Sequence, residues 1–178
     1  MKPSKAKSTS EAAVVVNGWQ LFAHPLLLDQ LERLVAAVER DRRKRPDAFQ
    51  GSANFKLLAA LSKLLFETIP EDPTRPTYRQ GKTLGEGRKH WFRAKFGGQR
   101  FRLFFRYGAS AKIIVYAWVN DSDTLRTDGA KTDAYAVFAA MLKRGNPPDG
   151  WDDLLKASAG TSKRLRQASK TALCDSPL

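Results

Sequence analysis

The run Trp91-Phe92-Arg93-Ala94-Lys95-Phe96, Gly97-Gly98-Gln99, Arg100-Phe101-Arg102-Leu103-Phe104-Phe105-Arg106-Tyr107 decides how the chain folds. Its side chains alternate with period two on both sides of a Gly-Gly pair, which is the pattern of two strands joined by a hairpin turn. Phe92, Ala94 and Phe96 point one way, with Phe101, Leu103, Phe105 and Tyr107 beside them toward the core. Trp91, Arg93, Lys95, Arg100, Arg102, Phe104 and Arg106 point the other way. Lys112 to Asn120 is a third strand, whose continuous apolar centre predicts burial on both faces.

The flanking segments are helical. Upstream, Leu27, Leu28, Leu31, Leu34, Val35 and Val38 recur at helical spacing after His24-Pro25, predicting a helix over about 25–44 that Pro46 stops. A second helix covers about 52–68, with Pro70, Pro73 and Pro76 ending it and forming an extended linker. The two form a helical hairpin. Downstream, Thr132 or Asp133 caps a third helix over about 133–144 that Gly145 ends, and a short helix near Trp151–Lys156 follows. Val14–Val16, the Asn17-Gly18 turn and Trp19, Leu21 and Phe22 pin the start of the folded part to the core. The expected architecture is α+β: a helical hairpin, a curved antiparallel sheet of about three to five strands over about 91–96, 100–107 and 112–119, and a C-terminal helix. One domain spans 14–157, between a disordered tail over 1–13 and a flexible basic tail over 158–178.

The chain has 178 residues and a net charge of +13, an excess that implies a polyanionic partner. From Lys156 to Leu178 there are five Lys/Arg against one Asp, so most of the excess lies in the body. No apolar run is long enough to span a membrane, and Met1–Ser10 is too polar for a secretory signal, so the expected location is the cytoplasm. The single cysteine, Cys174, fits a reducing compartment. Two histidines, one cysteine and no acidic cluster predict neither metal site nor cofactor.

Between Arg79 and Arg106 nine Lys/Arg stand against one acid, Glu86. Arg93, Lys95, Arg100, Arg102 and Arg106 share a face with Trp91 and Phe104, an arrangement that holds phosphates and stacks unpaired bases. Arg79, Lys82, Arg88 and Lys89 extend it. RNA carries its own nucleophile, the 2′-OH, so such a face needs only to align the nucleotide, move two protons and neutralise the phosphorane. Guanidinium groups suit the last task, because they are always charged and bind phosphate bidentately. A lysine among arginines gives up its proton more readily, because like charges repel; Lys95 holds such a position. His90, at the strand entrance, is a second candidate base, while His24 reads as a helix-start residue. Tyr135 serves either as a hydrogen-bond donor to phosphate or as a core side chain, and the Arg40–Arg45 run either as helix C-terminal cations or as an RNA contact.

Several stretches resemble the YhaV-type toxins of bacterial toxin–antitoxin systems, within the RelE-like ribonuclease superfamily. They are Val16-Asn17-Gly18-Trp19 with Ala23-His24-Pro25; Gly81-Lys82-Thr83-Leu84-Gly85; Arg100 to Tyr107; Trp118-Val119-Asn120-Asp121 with Thr124-Leu125-Arg126-Thr127; and Lys131 to Tyr135 through Met141-Leu142-Lys143-Arg144-Gly145. They occur in order across about Val16 to Leu155. The resemblance implies mRNA cleavage, with or without the ribosome, that halts growth. It also implies an AbrB-like antitoxin of the PrlF type and binding of promoter DNA through the antitoxin complex. The residues it points to are Arg93, Lys95, Arg100 and Arg102, then Asn120, Asp121 and Arg126, with Lys131 and Tyr135 after them. Two other readings use the same cations: a non-catalytic RNA- or DNA-binding regulator, and an interaction module whose basic face meets an acidic partner.

Overall fold

The computed structural model describes residues 13–121, 124 and 130–174. The chain opens with a hairpin, β1 (Val14–Val16) and β2 (Trp19–Ala23), turned by Asn17 and Gly18, both with positive φ. Helix α1 (Pro25–Lys44) follows at once. His24 caps it by accepting the Leu26 N–H on Nδ1, Pro25 occupies the first turn, and Arg42, Arg43 and Lys44 face the helix C-terminus. The Ser52 hydroxyl caps α2 (Ala53–Lys63) by accepting from the Phe55 N–H at 3.1 Å.

The second helix runs further than the prolines predict. A π turn at Leu64–Thr68 leads into a last helical turn, α3 (Ile69–Glu71), that contains Pro70. The shifted bonding of a π turn absorbs a residue that has no N–H to give. The carbonyl of Leu65 within that turn accepts the Tyr116 hydroxyl at 2.6 Å. Burial pushes the Tyr116 phenol well above its ordinary value, so it stays a neutral donor.

Strands β3 (Phe92–Phe96), β4 (Phe101–Gly108) and β5 (Ile113–Val119) complete a five-stranded sheet in the order β1-β2-β5-β4-β3. The expected alternation is present: Arg93 lies opposite Phe104, and Lys95 opposite Arg102. The sheet is mixed rather than wholly antiparallel, because β2 runs parallel to β5 with Leu21 opposite Ile114. At the β3–β4 turn Gly97, Gly98 and Gln99 all take positive φ, and a Cβ on Gly97 would lie 2.7 Å from the Phe101 ring.

Both faces of the sheet are covered. One packs on α1 and α2 through Leu21, Leu103, Phe105, Ile114 and Tyr116. The other, the face carrying the cations, packs on α4 (Ala134–Lys143) and α5 (Trp151–Ser158) through Trp91, Phe104, Val115, Ala117, Phe138 and Leu154. Strand β5 is therefore buried on both sides, as its apolar run predicts. Among the described residues no helix is long and apolar enough to cross a membrane.

The expected flexible tail from 158 is instead helical as far as it is described. Helix α6 (Ser162–Cys174) buries Leu165 and Ala168 against the α1 side of the sheet. The Thr161 hydroxyl anchors its start on the Ala23 carbonyl at 3.1 Å. Arg164 donates to Glu32 at 2.8 and 2.9 Å and to Asp29 at 2.7 Å. Polar composition hides this helix, since two buried apolar side chains among those described suffice to seat it. The Arg164 hydrogen bonds hold the Glu32 carboxyl below its ordinary range, and a group depressed on folding stabilises above that range. Arg164→Gln is expected to cost under about 1 kcal/mol, since all three groups are solvent-screened. In urea titrations the difference from the parent should vanish as pH falls through the carboxylate range, and also at high salt. A difference that persists at high salt would show that Arg164 acts through packing.

Candidate active site

The covering of the cationic face corrects one expectation directly. Trp91 and Phe104 are both fully buried, so neither is a stacking platform for bases. Trp91 meets Phe138 edge-on at 5.0 Å, and Phe104 stacks on Phe138 at 4.3 Å. The helix laid over the strands sorts the cations of the face into separate sets.

The first set centres on Tyr135, in the first turn of α4. The side chain of Asp133 caps that helix by accepting the Tyr135 N–H, which fixes where the tyrosine starts. The Tyr135 ring is buried, and its hydroxyl oxygen accepts from Arg93 Nε at 2.8 Å and from Arg102 Nε at 3.2 Å. Arg93 also donates to the Thr77 carbonyl at 2.6 Å, and Arg102 to the Gln99 carbonyl at 3.1 Å. Arg102 is itself only 5% exposed and lies over the Tyr135 ring at 5.4 Å. Two guanidinium groups from neighbouring strands thus converge on one phenol, each further fixed by a backbone carbonyl. Tyr135 is both a core residue and a polar member of the site.

Asn120, the residue after β5, closes this set. It is 2% exposed, and its Oδ1 accepts the Arg102 N–H at 2.5 Å. Its Nδ2 donates to the carbonyls of Arg100 at 3.2 Å and Thr124 at 3.1 Å. Asn120 therefore splices the end of β5 to β4. Asp121 is exposed and pairs locally with Thr124. Lys95 and Arg100 are exposed at the same end of the hairpin, and Lys131 is exposed ahead of α4. Arg126 lies outside the described residues.

The second set centres on Asp149, which local spacing did not single out. Its Oδ1 accepts from His90 Nε2 at 2.8 Å and from Trp91 Nε1 at 2.7 Å, with Arg88 Nε at 3.8 Å from Oδ2. Arg106 donates to the Asp149 carbonyl at 2.6 Å and lies between the rings of Trp91 and Trp151. Burial works against charge on the Asp149 carboxyl, but the His90 and Trp91 hydrogen bonds, with the charges of His90 and Arg88, hold it below its ordinary value. Burial lowers the Arg106 guanidinium, with Asp149 opposing. His90 and Arg106 are thus committed to seating the α4–α5 loop. They stand at the opposite end of β3 from Lys95, roughly 16 Å along an extended chain.

Between the two sets runs the loop that carries Arg79, Lys82 and Lys89, all exposed. Gln80 organises it from beneath: buried, it donates to the Arg88 carbonyl at 2.8 Å and accepts from the Leu84 N–H at 3.2 Å. Leu84 in turn plugs the α4 core. No sequence pattern marks Gln80, because its partners are set by loop closure.

The family model described as a toxin with endonuclease activity, of toxin–antitoxin system, matches residues 21–159. The chain is 49% identical over 147 residues to the ribonuclease toxin YhaV of Escherichia coli strain K12, covering 82% of this chain and 96% of that protein. It is 51% identical over 140 residues to toxin YhaV of Escherichia coli O6:H1, covering 78% of this chain and 91% of that protein. No solved structure is significantly similar. The matched span contains both cation sets and the helix that separates them, and the chain belongs to the YhaV family of toxins with endonuclease activity from toxin–antitoxin systems.

Proposed function

We propose that the protein is a metal-independent endoribonuclease that cleaves mRNA in the cytoplasm and so halts translation and growth. The observation that carries this is the convergence of Arg93 and Arg102 on the Tyr135 hydroxyl, beside Lys95 and Arg100 at the exposed end of the hairpin. The 2′-OH of the substrate attacks the adjacent phosphorus, and the bond to the 5′ oxygen breaks. A 2′,3′-cyclic phosphate and a free 5′-OH remain. Arg93 and Arg102 neutralise the charge that builds on the phosphorane, held in place by Tyr135. Lys95 takes the 2′ proton and returns it to the departing 5′ oxygen, because it lies opposite Arg102 in the register whereas His90 is bonded to Asp149 at the other end of the strand. Asn120 and Asp121 hold the strand end, and Arg126 and Lys131 supply further positive charge. Arg79, Lys82, Arg88 and Lys89 guide the RNA backbone to this end.

An AbrB-like antitoxin of the PrlF type neutralises the toxin, and their complex binds its own promoter DNA. The direct test is incubation of purified protein with single-stranded RNA in EDTA, alone and on translating ribosomes. The expected result is cleavage in at least one arm, leaving cyclic phosphate ends. A requirement for added metal overturns the mechanism. RNA binding without cleavage in either arm supports a non-catalytic regulator instead.

A further inference from the structure

A groove of about 770 Å³ lies between α1, α2 and the end of the sheet. Leu34, Ala37, Leu57 and Ala60 form its apolar walls, and each is only half-buried. Arg33, Lys56 and Arg100 stand exposed around it, and among the described residues that line it Asp121 is the sole carboxylate. The groove ends on Arg100, Asn120 and Asp121, which places it against the cation set centred on Tyr135.

The chemistry of the lining distinguishes its occupants. A nucleobase is recognised by hydrogen bonds to its edges. The groove's amides are already engaged: Gln30 donates to the Val119 carbonyl at 2.7 Å and accepts its N–H at 3.2 Å. Asn54 donates to Asp41 at 2.9 Å, and Asn120 is tied to Arg100, Arg102 and Thr124. What the groove offers is apolar surface, methyl groups together with the half-buried Phe101 ring, rimmed by positive charge. That combination fits an amphipathic peptide with apolar side chains on one face and carboxylates beside them.

We propose that this groove docks an acidic, amphipathic segment of the antitoxin. The proposal rests on the chain's place among toxins that have antitoxin partners. The segment's apolar side chains enter between α1 and α2, and its carboxylates meet Arg33, Lys56 and Arg100. Because Arg100 belongs to both surfaces, the bound segment competes with RNA phosphate at the mouth of the site. Neutralisation is thereby direct occlusion and needs no rearrangement of the fold.

The test uses the full chain and the antitoxin encoded beside its gene. Lys56→Glu reverses an exposed rim charge, and Leu57→Glu places a carboxylate on the apolar wall. Both lie on α2, away from Arg93, Arg102 and Tyr135. Binding is read by titration calorimetry, and RNA cleavage is measured with and without antitoxin. Each variant is expected to cleave RNA like the parent while its antitoxin Kd rises at least about tenfold. Unchanged antitoxin affinity in both variants overturns the proposal. So does lost cleavage with unchanged affinity, which marks the groove as an RNA subsite. So does a parent dimer that Leu57→Glu splits while antitoxin binding persists. Absence of cleavage by the parent sinks the ribonuclease reading alone, because calorimetry still decides the groove.

Discussion

Arg93→Lys is expected to lower the single-turnover rate of RNA cleavage by about 10²–10³ while RNA affinity falls by less than about tenfold. The charge survives the substitution, so attraction to the phosphate backbone is largely kept. What is lost is geometry. Arg93 reaches the Tyr135 hydroxyl through Nε and the Thr77 carbonyl through a terminal nitrogen, at 2.8 and 2.6 Å. A lysine carries one nitrogen and cannot hold both while presenting a planar donor edge to a phosphate. Arg93 is half-buried, so the change is tolerated by the fold. Arg102 offers a poorer experiment, since at 5% exposure any substitution also disturbs the core. Rapid-quench rates with separately measured affinities give the result. Rate and affinity falling by the same small factor would show that Arg93 only binds RNA, and the regulator reading would gain the support that the catalyst loses.

The strand pair was legible because period two survives wherever one face is apolar, and β3 and β4 follow it residue by residue. Helices α1, α2 and α4 were legible from their stripes and caps, down to His24 and Asp133, whereas α6, seated by Leu165 and Ala168, was not. The cationic face was legible as a face but not as a covered one. Trp91 and Phe104 sit among arginines, and local spacing says nothing about whether an aromatic there meets a base or a helix. The answer lay in the stripe of Tyr135, Phe138 and Leu142, which needed an apolar partner that the other sheet face, taken by α1 and α2, could not provide. Asp149 was illegible for a different reason. Its partners His90 and Trp91 lie 59 and 58 residues away, and nothing in the Pro147-Pro148-Asp149 loop encodes that distance. The parallel pairing of β2 with β5 is likewise a property of how the chain returns, not of either strand.

Phe138→Ala should be the most destabilising single change at this face, costing about 3–5 kcal/mol. Phe138 is fully buried and is the hinge pin of the layer over the cations. It stacks on Phe104 at 4.3 Å and on Trp118 at 5.8 Å, and meets Trp91 edge-on at 5.0 Å. Alanine leaves a cavity that three rigid ring systems on a hydrogen-bonded sheet cannot close. The loss is a large part of the roughly 5–15 kcal/mol that such a domain has to spare. Phe138 also lies one helical turn after Tyr135, so loosening α4 lets the phenol drift from Arg93 and Arg102. Cleavage should therefore fall even in the fraction that stays folded. Tyr135→Phe separates the two effects: it keeps the ring and its packing against Phe104 at 5.7 Å but removes the oxygen that both guanidinium groups hold. Urea midpoints and cleavage rates on both variants give the comparison. Phe138→Ala should lose stability and activity together, whereas Tyr135→Phe should lose activity with a stability cost of only about 1–3 kcal/mol. A Phe138→Ala cost below about 1 kcal/mol would mean that α4 is not a packed layer, and the arginines would then stand as an open surface after all.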